Sequence, residues 1–175
     1  MSNIPTVTDL YDLEHTIAKE LLMKYTYPWE ALKELKAFIL ALGANLPKEL
    51  YDHPEAGVWI AKDAKVFPSA YIGAPCIIDR GAEVRHCAFI RGSAIIGKNS
   101  VLGNSCEIKN SIIFDDAQTP HYNYIGDSIL GWHSHMGAGS ITSNVKSDRT
   151  NIFIRCGKEE IATDAYKIGA MLGDW

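Results

Sequence analysis

The sequence predicts an all-β solenoid preceded by a helical segment, and two observations carry that reading. Apolar residues recur at every sixth position through Ile60, Val66, Ile72, Ile78, Val84, Ile90, Ile96, Leu102, Ile108 and Phe114. The position four after these anchors is small: Ala64, Ala70, Cys76, Ala82, Ala88, Ala94, Ser100 and Cys106. A helix of about 3.6 residues per turn cannot use a period of six. A short strand followed by a tight corner can, burying one branched anchor per flat side with a small side chain inside each corner. All ten anchors, Phe114 included, are expected to point inward.

Residues 1–57 follow a different grammar. The stretch "TDLYDLEHTIAKELLMKY" sets Leu10, Leu13, Ile17, Leu21 and Met23 near one helical face, with Thr8 or Asp9 as the cap. "YPWEALKELKAFILALG" has Pro28 where a first-turn proline is tolerated and Gly43 where a helix stops. Its apolar stripe is Leu32, Leu35, Phe38, Ile39 and Leu42. "NLPKELYDHPEAG" reads as a helical turn and a linker. The expectation is two helices over 8–42 that cover one side or end of the repeat, which occupies 58–175.

Composition narrows the function. Hydrophobic residues make up 47% and charged residues 22%, ordinary for a globular protein, and the formal net charge is −4 with dispersed basic residues. That argues against nucleic acid or an anionic membrane as partner, while leaving room for a local anion pocket. The N-terminus lacks the basic end and apolar core of a signal peptide, so the expected compartment is the cytoplasm. Cys76, Cys87, Cys106 and Cys156 never form a C-x-x-C pair. Cys76 and Cys106 occupy small-residue slots of the repeat, which assigns them to packing.

Several polar residues interrupt the pattern. Arg91, Lys109 and Asp127 are spaced by 18 residues each, which on a solenoid of three hexapeptides per coil stacks them on one outer edge. Two stacked cations without intervening acids repel unless an anion sits between them, and a phosphate suits an Arg–Lys pair. The rival reading is two solvated surface charges. His121 follows Pro120 in an accessible turn and could serve as a general base, though alone it reads as a surface histidine. His133 and His135 form H-x-H, a spacing too common to indicate a metal, and no metal is expected.

The period is that of the hexapeptide-repeat proteins, and the resemblance implies a left-handed parallel β-helix of triangular section that assembles as a homotrimer. From Phe89 to Val145 the chain resembles the acetyltransferase domain of the bifunctional N-acetylglucosamine-1-phosphate uridyltransferases and of archaeal-type sugar-1-phosphate nucleotidylyltransferases. Their "E-[MI]-K", "H-x-x-Y-[LI]-G-D" and "G-A-G-[ST]-I-T-x-N" appear in order at Lys109, His121 with Tyr124, and Asn144, and Arg91, followed here by Gly92 and Ser93, stands at the corner where they have "R-x-G". The resemblance implies an acetyl-CoA-dependent N-acetyltransferase acting on an amino-sugar 1-phosphate. Arg91 and Lys109 would hold the phosphate, Tyr124, His135 and Asn144 the sugar, and His121 would be the base. Backbone at Ala138 and Gly139 would face the acetyl-CoA. On this reading the repeat gives way at "TPHYNYIGD" because its corner there serves a substrate pocket.

Three departures qualify the resemblance. Residues 1–55 contain no glycine-rich nucleotide loop, so no pyrophosphorylase activity is expected of them. His135 stands before "MGAG" where the bacterial enzymes have an asparagine, which opens the identity of the sugar. The chain stops at "KIGAMLGDW" as the repeat resumes, so a fragment and an incomplete cofactor site both stay open. Before that end, residues 151–167 break the period and read as a protruding hairpin. The competing reading of the whole is a non-catalytic β-helix that binds a sugar phosphate or nucleotide sugar, or partners a separate nucleotidyltransferase.

Overall fold

The computed structural model describes residues 3–175. Its body is a left-handed parallel β-helix with three walls, each a parallel stack of two- to four-residue strands. The first wall runs through Val58–Ala61, Cys76–Ile78, Ala94–Ile96, Ser111–Ile113, Ile129–Leu130 and Met171–Leu172. The second contains Lys65–Val66, Glu83–Val84, Val101–Asn104 and Gln118–His121. The third contains Tyr71–Ile72, Phe89–Ile90, Glu107–Lys109 and Tyr124–Gly126. Coil-to-coil hydrogen bonds satisfy the backbone of each strand, leaving the interior to the stacked anchors.

The anchors pack as expected, with one correction. Ile78, Val84, Ile90, Ile96, Leu102 and Ile108 are at most 1% exposed and share one core with Ala82, Ala88, Ala94 and Cys106. Ile60, Val66 and Ile72, at the first coil where the stack of anchors ends, are only partly buried. Phe114 does not point inward. Ile96 pairs with Ile113, a coil of 17 residues where Ile78 to Ile96 is 18, so Ile113 takes the interior slot. Phe114 faces out into a second core, 5.0 Å from the ring of Tyr11.

Left-handed backbone at the corners shows where the residue is lost. Positive φ occurs at Cys87, Ser93, Asn99, Ser105, Asn110, Asp116, Tyr122, Asp127 and His133. The step is six residues except from Ser105 to Asn110 and from Tyr122 to Asp127, where it is five. Both short steps span the third wall. Asn and Asp, the non-glycine residues most tolerant of this conformation, hold four of the nine corners. The coil therefore continues through 119–127, with Thr119 and Ile125 inward in the anchor slots. The repeat does not break at "TPHYNYIGD" but departs after Thr142, for a loop and hairpin, and returns at Met171.

The helical segment covers the outer face of the first wall. Trp59, Ile77, Ile95, Ile112 and Ile129 line that face in register and meet Leu21, Leu22, Leu32, Leu35 and Ile39 in one core. Residues 8–25 do not make a single helix. They form α1 (Val7–Leu10), a 3-10 turn (Leu13–His15) and α2 (Lys19–Leu22). The Asp12 carboxylate accepts from Glu14 N at 3.0 Å and Thr16 Oγ1 accepts from Ala18 N at 3.1 Å, local bonds that compete with a helical ladder. Thr6, rather than Thr8 or Asp9, is the N-cap, and Asp9 is its N3 partner. α3 (Pro28–Ala31) and α4 (Leu35–Gly43) follow, ending at the expected glycine, where a Cβ would meet the Trp59 ring at 2.4 Å.

Residues 51–55 are a strand, not a linker. Tyr51–Glu55 pairs antiparallel with Val58–Ala61 and closes the edge of the first wall. Among the described residues no helix is long and apolar enough to cross a membrane.

Candidate functional site

The corner between the third and first walls gathers half of the predicted residues. Arg91 N donates to Ile108 O at 2.9 Å and Lys109 pairs with Gly126, so the two cations come from adjacent coils on one edge. Both already have acidic partners, contrary to the expectation of two uncompensated charges. Arg91 Nη1 lies 2.8 Å from Glu107 Oε1, and Lys109 Nζ lies 3.0 Å from Asp127 Oδ2. The hydrogen bond to Glu107 raises the guanidinium pKa further above its ordinary value. The 17-residue coil explains the second pair: it sets Gly126 beside Lys109 and puts Asp127 one position further, within reach of the ammonium.

Asp127 organises the corner. Its side chain is 7% exposed and accepts from Lys109 Nζ, from Asn110 Nδ2 at 2.8 Å and from Asn144 Nδ2 at 2.6 Å. The Asn144 amide is also 3.2 Å from the Tyr124 hydroxyl. Arg91, Lys109, Asn110 and Asp127 line a cavity of about 370 Å³, to which α4 adds Lys36. A neighbouring cavity of similar volume joins Lys109 and Asp127 to Tyr166 and Lys167. These last residues follow an antiparallel hairpin, Phe153–Cys156 with Glu159–Ala162, turning at Gly157 with φ +59°.

His121 stands at the opposite edge of the third wall. The strand Tyr124–Gly126 separates the two corners, roughly 10 Å of extended chain. The His121 ring is exposed, while its backbone is fixed by Asn123. Asn123 is 2% exposed; its Oδ1 accepts from His121 N at 3.2 Å, and its Nδ2 donates to Gly137 O at 2.8 Å and Ser140 O at 3.2 Å. Ala138 and Gly139 lie on the next coil, where Gly139 N donates to His121 O at 3.0 Å. His135 projects from the second wall, paired over Gln118, and is also exposed. The structure thus joins Arg91, Lys109, Tyr124 and Asn144 into one cluster and leaves His121, His135, Ala138 and Gly139 apart from it.

Two residues with a part in this geometry were not singled out by the sequence. Asp127 was legible only as a third member of the Arg91–Lys109 column. Asn123 gave no signal beyond its place in the "HYNY" turn. The His133 ring stacks on Trp175 with centroids 4.5 Å apart, and the described residues contain no group of three or more metal-ligating side chains. Cys76 and Cys106 are buried, and that burial pushes both thiols up from their ordinary range.

The three walls and this corner chemistry resemble the hexapeptide-repeat C-terminal domain of GlmU-type proteins. Residues 72–152 match the family model described as the GMPPB C-terminal domain. Over its central part the chain is related to bifunctional GlmU proteins. It is 39% identical over 87 residues to that of Methanococcus maripaludis strain C5, covering 50% of this chain and 21% of the relative. With the protein of M. maripaludis strain DSM 14266 it is 31% identical over 150 residues, 85% of this chain and 36% of that one. The bifunctional sugar-1-phosphate nucleotidylyltransferase/acetyltransferase of Sulfurisphaera tokodaii is 29% identical over 116 residues, 66% of this chain and 29% of its own. The chain thus spans about a third or less of the relatives it matches. Among solved structures, the acetyltransferase domain of PglB from Neisseria gonorrhoeae FA1090, in complex with acetyl coenzyme A, aligns at 23% identity and a TM-score of 0.48, over 49% of this chain and 42% of that one.

Proposed function

We propose that this protein transfers an acetyl group from acetyl-CoA to the 2-amino group of an amino-sugar 1-phosphate, most simply glucosamine 1-phosphate, in nucleotide-sugar precursor synthesis. The observation that carries the proposal is the Asp127-centred cluster, which holds Asn144 and orients Lys109 and Asn110 around one cavity that Arg91 also lines. Kinship with the nucleotidylyltransferase/acetyltransferase of S. tokodaii supports the reading. With its phosphate at the Arg91–Lys109 corner, a sugar would lie across the third wall past Tyr124 and bring its amine toward His121. The amine nitrogen attacks the thioester carbonyl, His121 accepts the amine proton, and the coenzyme A thiolate leaves with the thioester electron pair and is protonated. The Ala138 backbone N–H is the candidate to meet the developing oxyanion, since Gly139 N already donates to His121 O. His135 would shape which sugar fits.

The third wall also supports a homotrimer. Its outward column is Tyr71, Phe89, Glu107, Tyr124 and Ile141, of which Tyr71 is 61% and Ile141 68% exposed. The first wall is covered by the helices, and the second wall's column of Lys65, Glu83, Val101, Gln118 and His135 is mostly polar. A second copy over the third wall would bury the exposed Tyr71, Phe89 and Ile141 of that column and enclose His121.

One observation favours the second reading, a non-catalytic sugar-phosphate or nucleotide-sugar binder: among the described residues no hydrogen bond or ion pair joins the His121 side chain to the cluster. Thiol release from acetyl-CoA in the presence of a panel of hexosamine 1-phosphates decides between them. Release dependent on an amino sugar supports the transferase. No release with any member, alongside measurable binding, supports the binder.

A further inference from the structure

We infer that Lys36, on α4, is a phosphate-binding residue of the corner cavity, so that the helical segment completes the anion site as well as covering the first wall. The inference rests on the reading of this cavity as a phosphate site. Arg91 and Lys109 are paired with Glu107 and Asp127, so the two corner cations and their acids sum to no net charge. A phosphate arriving there would compete with two carboxylates, one of them nearly buried. Lys36 lines the same cavity, is exposed, and makes no ion pair or hydrogen bond among the described residues. It is the cation that gives the cavity a net positive field.

The position of Lys36 is fixed by its neighbours. Leu35 and Ile39 are both 0% exposed in the core between the helices and the first wall. Residues one before and three after Lys36 therefore pin the turn of α4 that carries it, while the ammonium stays free to reach the ligand. A long lysine suits that role, because its flexible stem lets a point charge settle on whichever phosphate oxygen the Arg91 fork leaves open. The ligand class is a dianionic phosphate monoester rather than a neutral sugar, since a neutral ligand gains nothing from the added charge.

The inference is tested by calorimetric titration of glucosamine 1-phosphate and of unphosphorylated glucosamine into wild type, Lys36→Ala, Lys36→Arg, Arg91→Ala and Lys24→Ala. Lys24 is an exposed lysine of the same segment outside the cavity. Lys36→Ala is expected to weaken the phosphorylated ligand about tenfold, the low end for a charge-assisted contact. Lys36→Arg should restore most of the loss, while Lys24→Ala and every glucosamine titration stay at wild-type values. Wild-type affinity in Lys36→Ala together with a loss in Arg91→Ala overturns the role of Lys36 and leaves the phosphate site standing. An equal loss in Lys24→Ala reduces the effect to bulk charge and also overturns it. No loss in either Lys36→Ala or Arg91→Ala removes the phosphate site itself, and this inference with it.

Discussion

Lys109 and Asp127 are joined across adjacent coils at 3.0 Å, with side-chain exposures of 24% and 7%. The carboxylate also holds Asn110 and Asn144, so one acid sets the orientation of three groups. Asp127→Asn should destabilise the fold by about 1–3 kcal/mol, because Lys109 is left three-quarters buried without its counter-charge. Removing the negative charge should at the same time tighten inorganic phosphate, while turnover falls as one amide oxygen is left to serve Lys109, Asn110 and Asn144. Denaturant unfolding and calorimetry check the two halves. An unchanged unfolding midpoint would show the pair to be screened by solvent.

Phe114 marks the place where the outer core begins. It is 0% exposed and packs against Tyr11 under the helical segment, whereas Ile113 fills the interior slot above Ile96. Phe114→Ala should cost about 3–5 kcal/mol and release the helices before the β-helix melts. Ile113→Asp should instead collapse the coils, since a carboxylate there has no partner. Near-UV spectra of Tyr11 and Trp59 against far-UV melts separate the two; identical behaviour of the variants would mean one undivided core.

The period of six was enough to read the β-helix, because one buried branched side chain per wall is its whole grammar. The missing residue was not readable, because Ile112, Ile113 and Phe114 are all apolar and Phe114 satisfies a period of six as well as Ile113 satisfies five. A second signal was present in the doubled apolar pairs Ile77–Ile78, Ile95–Ile96, Ile112–Ile113 and Ile129–Leu130. One member of each faces the interior and the other the helices, which identifies the covered wall and the shortened coil together. At the site, the residue types of Arg91 and Lys109 pointed to an anion. The coil that sets Arg91 near Glu107 has the expected length, whereas the one that brings Asp127 to Lys109 is shorter by one residue, which spacing alone missed.

Asp115 should give a pH dependence of definite sign. Burial is the main cause holding its carboxyl pKa above the ordinary 3.8, against the opposing hydrogen bond from Lys98 N and the Lys98 ammonium, with Asp79 and Asp116 adding to the rise. The folded protein therefore binds the Asp115 proton more tightly than the unfolded chain. Stability from this group falls as pH rises from the unfolded value through the folded one, and the penalty is complete above both. Asp115→Asn, which keeps an acceptor for Lys98 N, should raise stability at about pH 7 and leave it unchanged at about pH 3. Denaturant curves at both conditions check this; a gain of equal size at each would assign the effect to packing.

The exposed column of the third wall should govern assembly. Phe89 is 42% exposed and stacks edge-on with Tyr71 at 5.4 Å. Phe89→Glu adds a charge to a surface that a second copy would have to desolvate, so sedimentation should shift from trimer to monomer without loss of the folded spectrum. A wild type that sediments as a monomer at all concentrations would withdraw the trimer.

His121 and Asn123 offer a separation between chemistry and positioning. His121→Ala should lower turnover by roughly 10²–10⁴-fold, the usual cost of losing a general base, with little change in phosphate affinity because the Arg91–Lys109 corner lies at the other edge of the wall. Asn123→Ala leaves the imidazole in place but removes the bonds that hold its backbone and the Gly137–Ser140 turn to one another. It should lower both stability, by about 1–3 kcal/mol for the lost hydrogen bonds of a buried amide, and turnover. Added imidazole distinguishes the two: it should recover part of the activity of His121→Ala, where a proton acceptor is missing, and none of Asn123→Ala, where the acceptor is present but displaced. Full activity in His121→Ala would end its assignment as the base, and rescue of both variants alike would show that imidazole acts elsewhere on the protein.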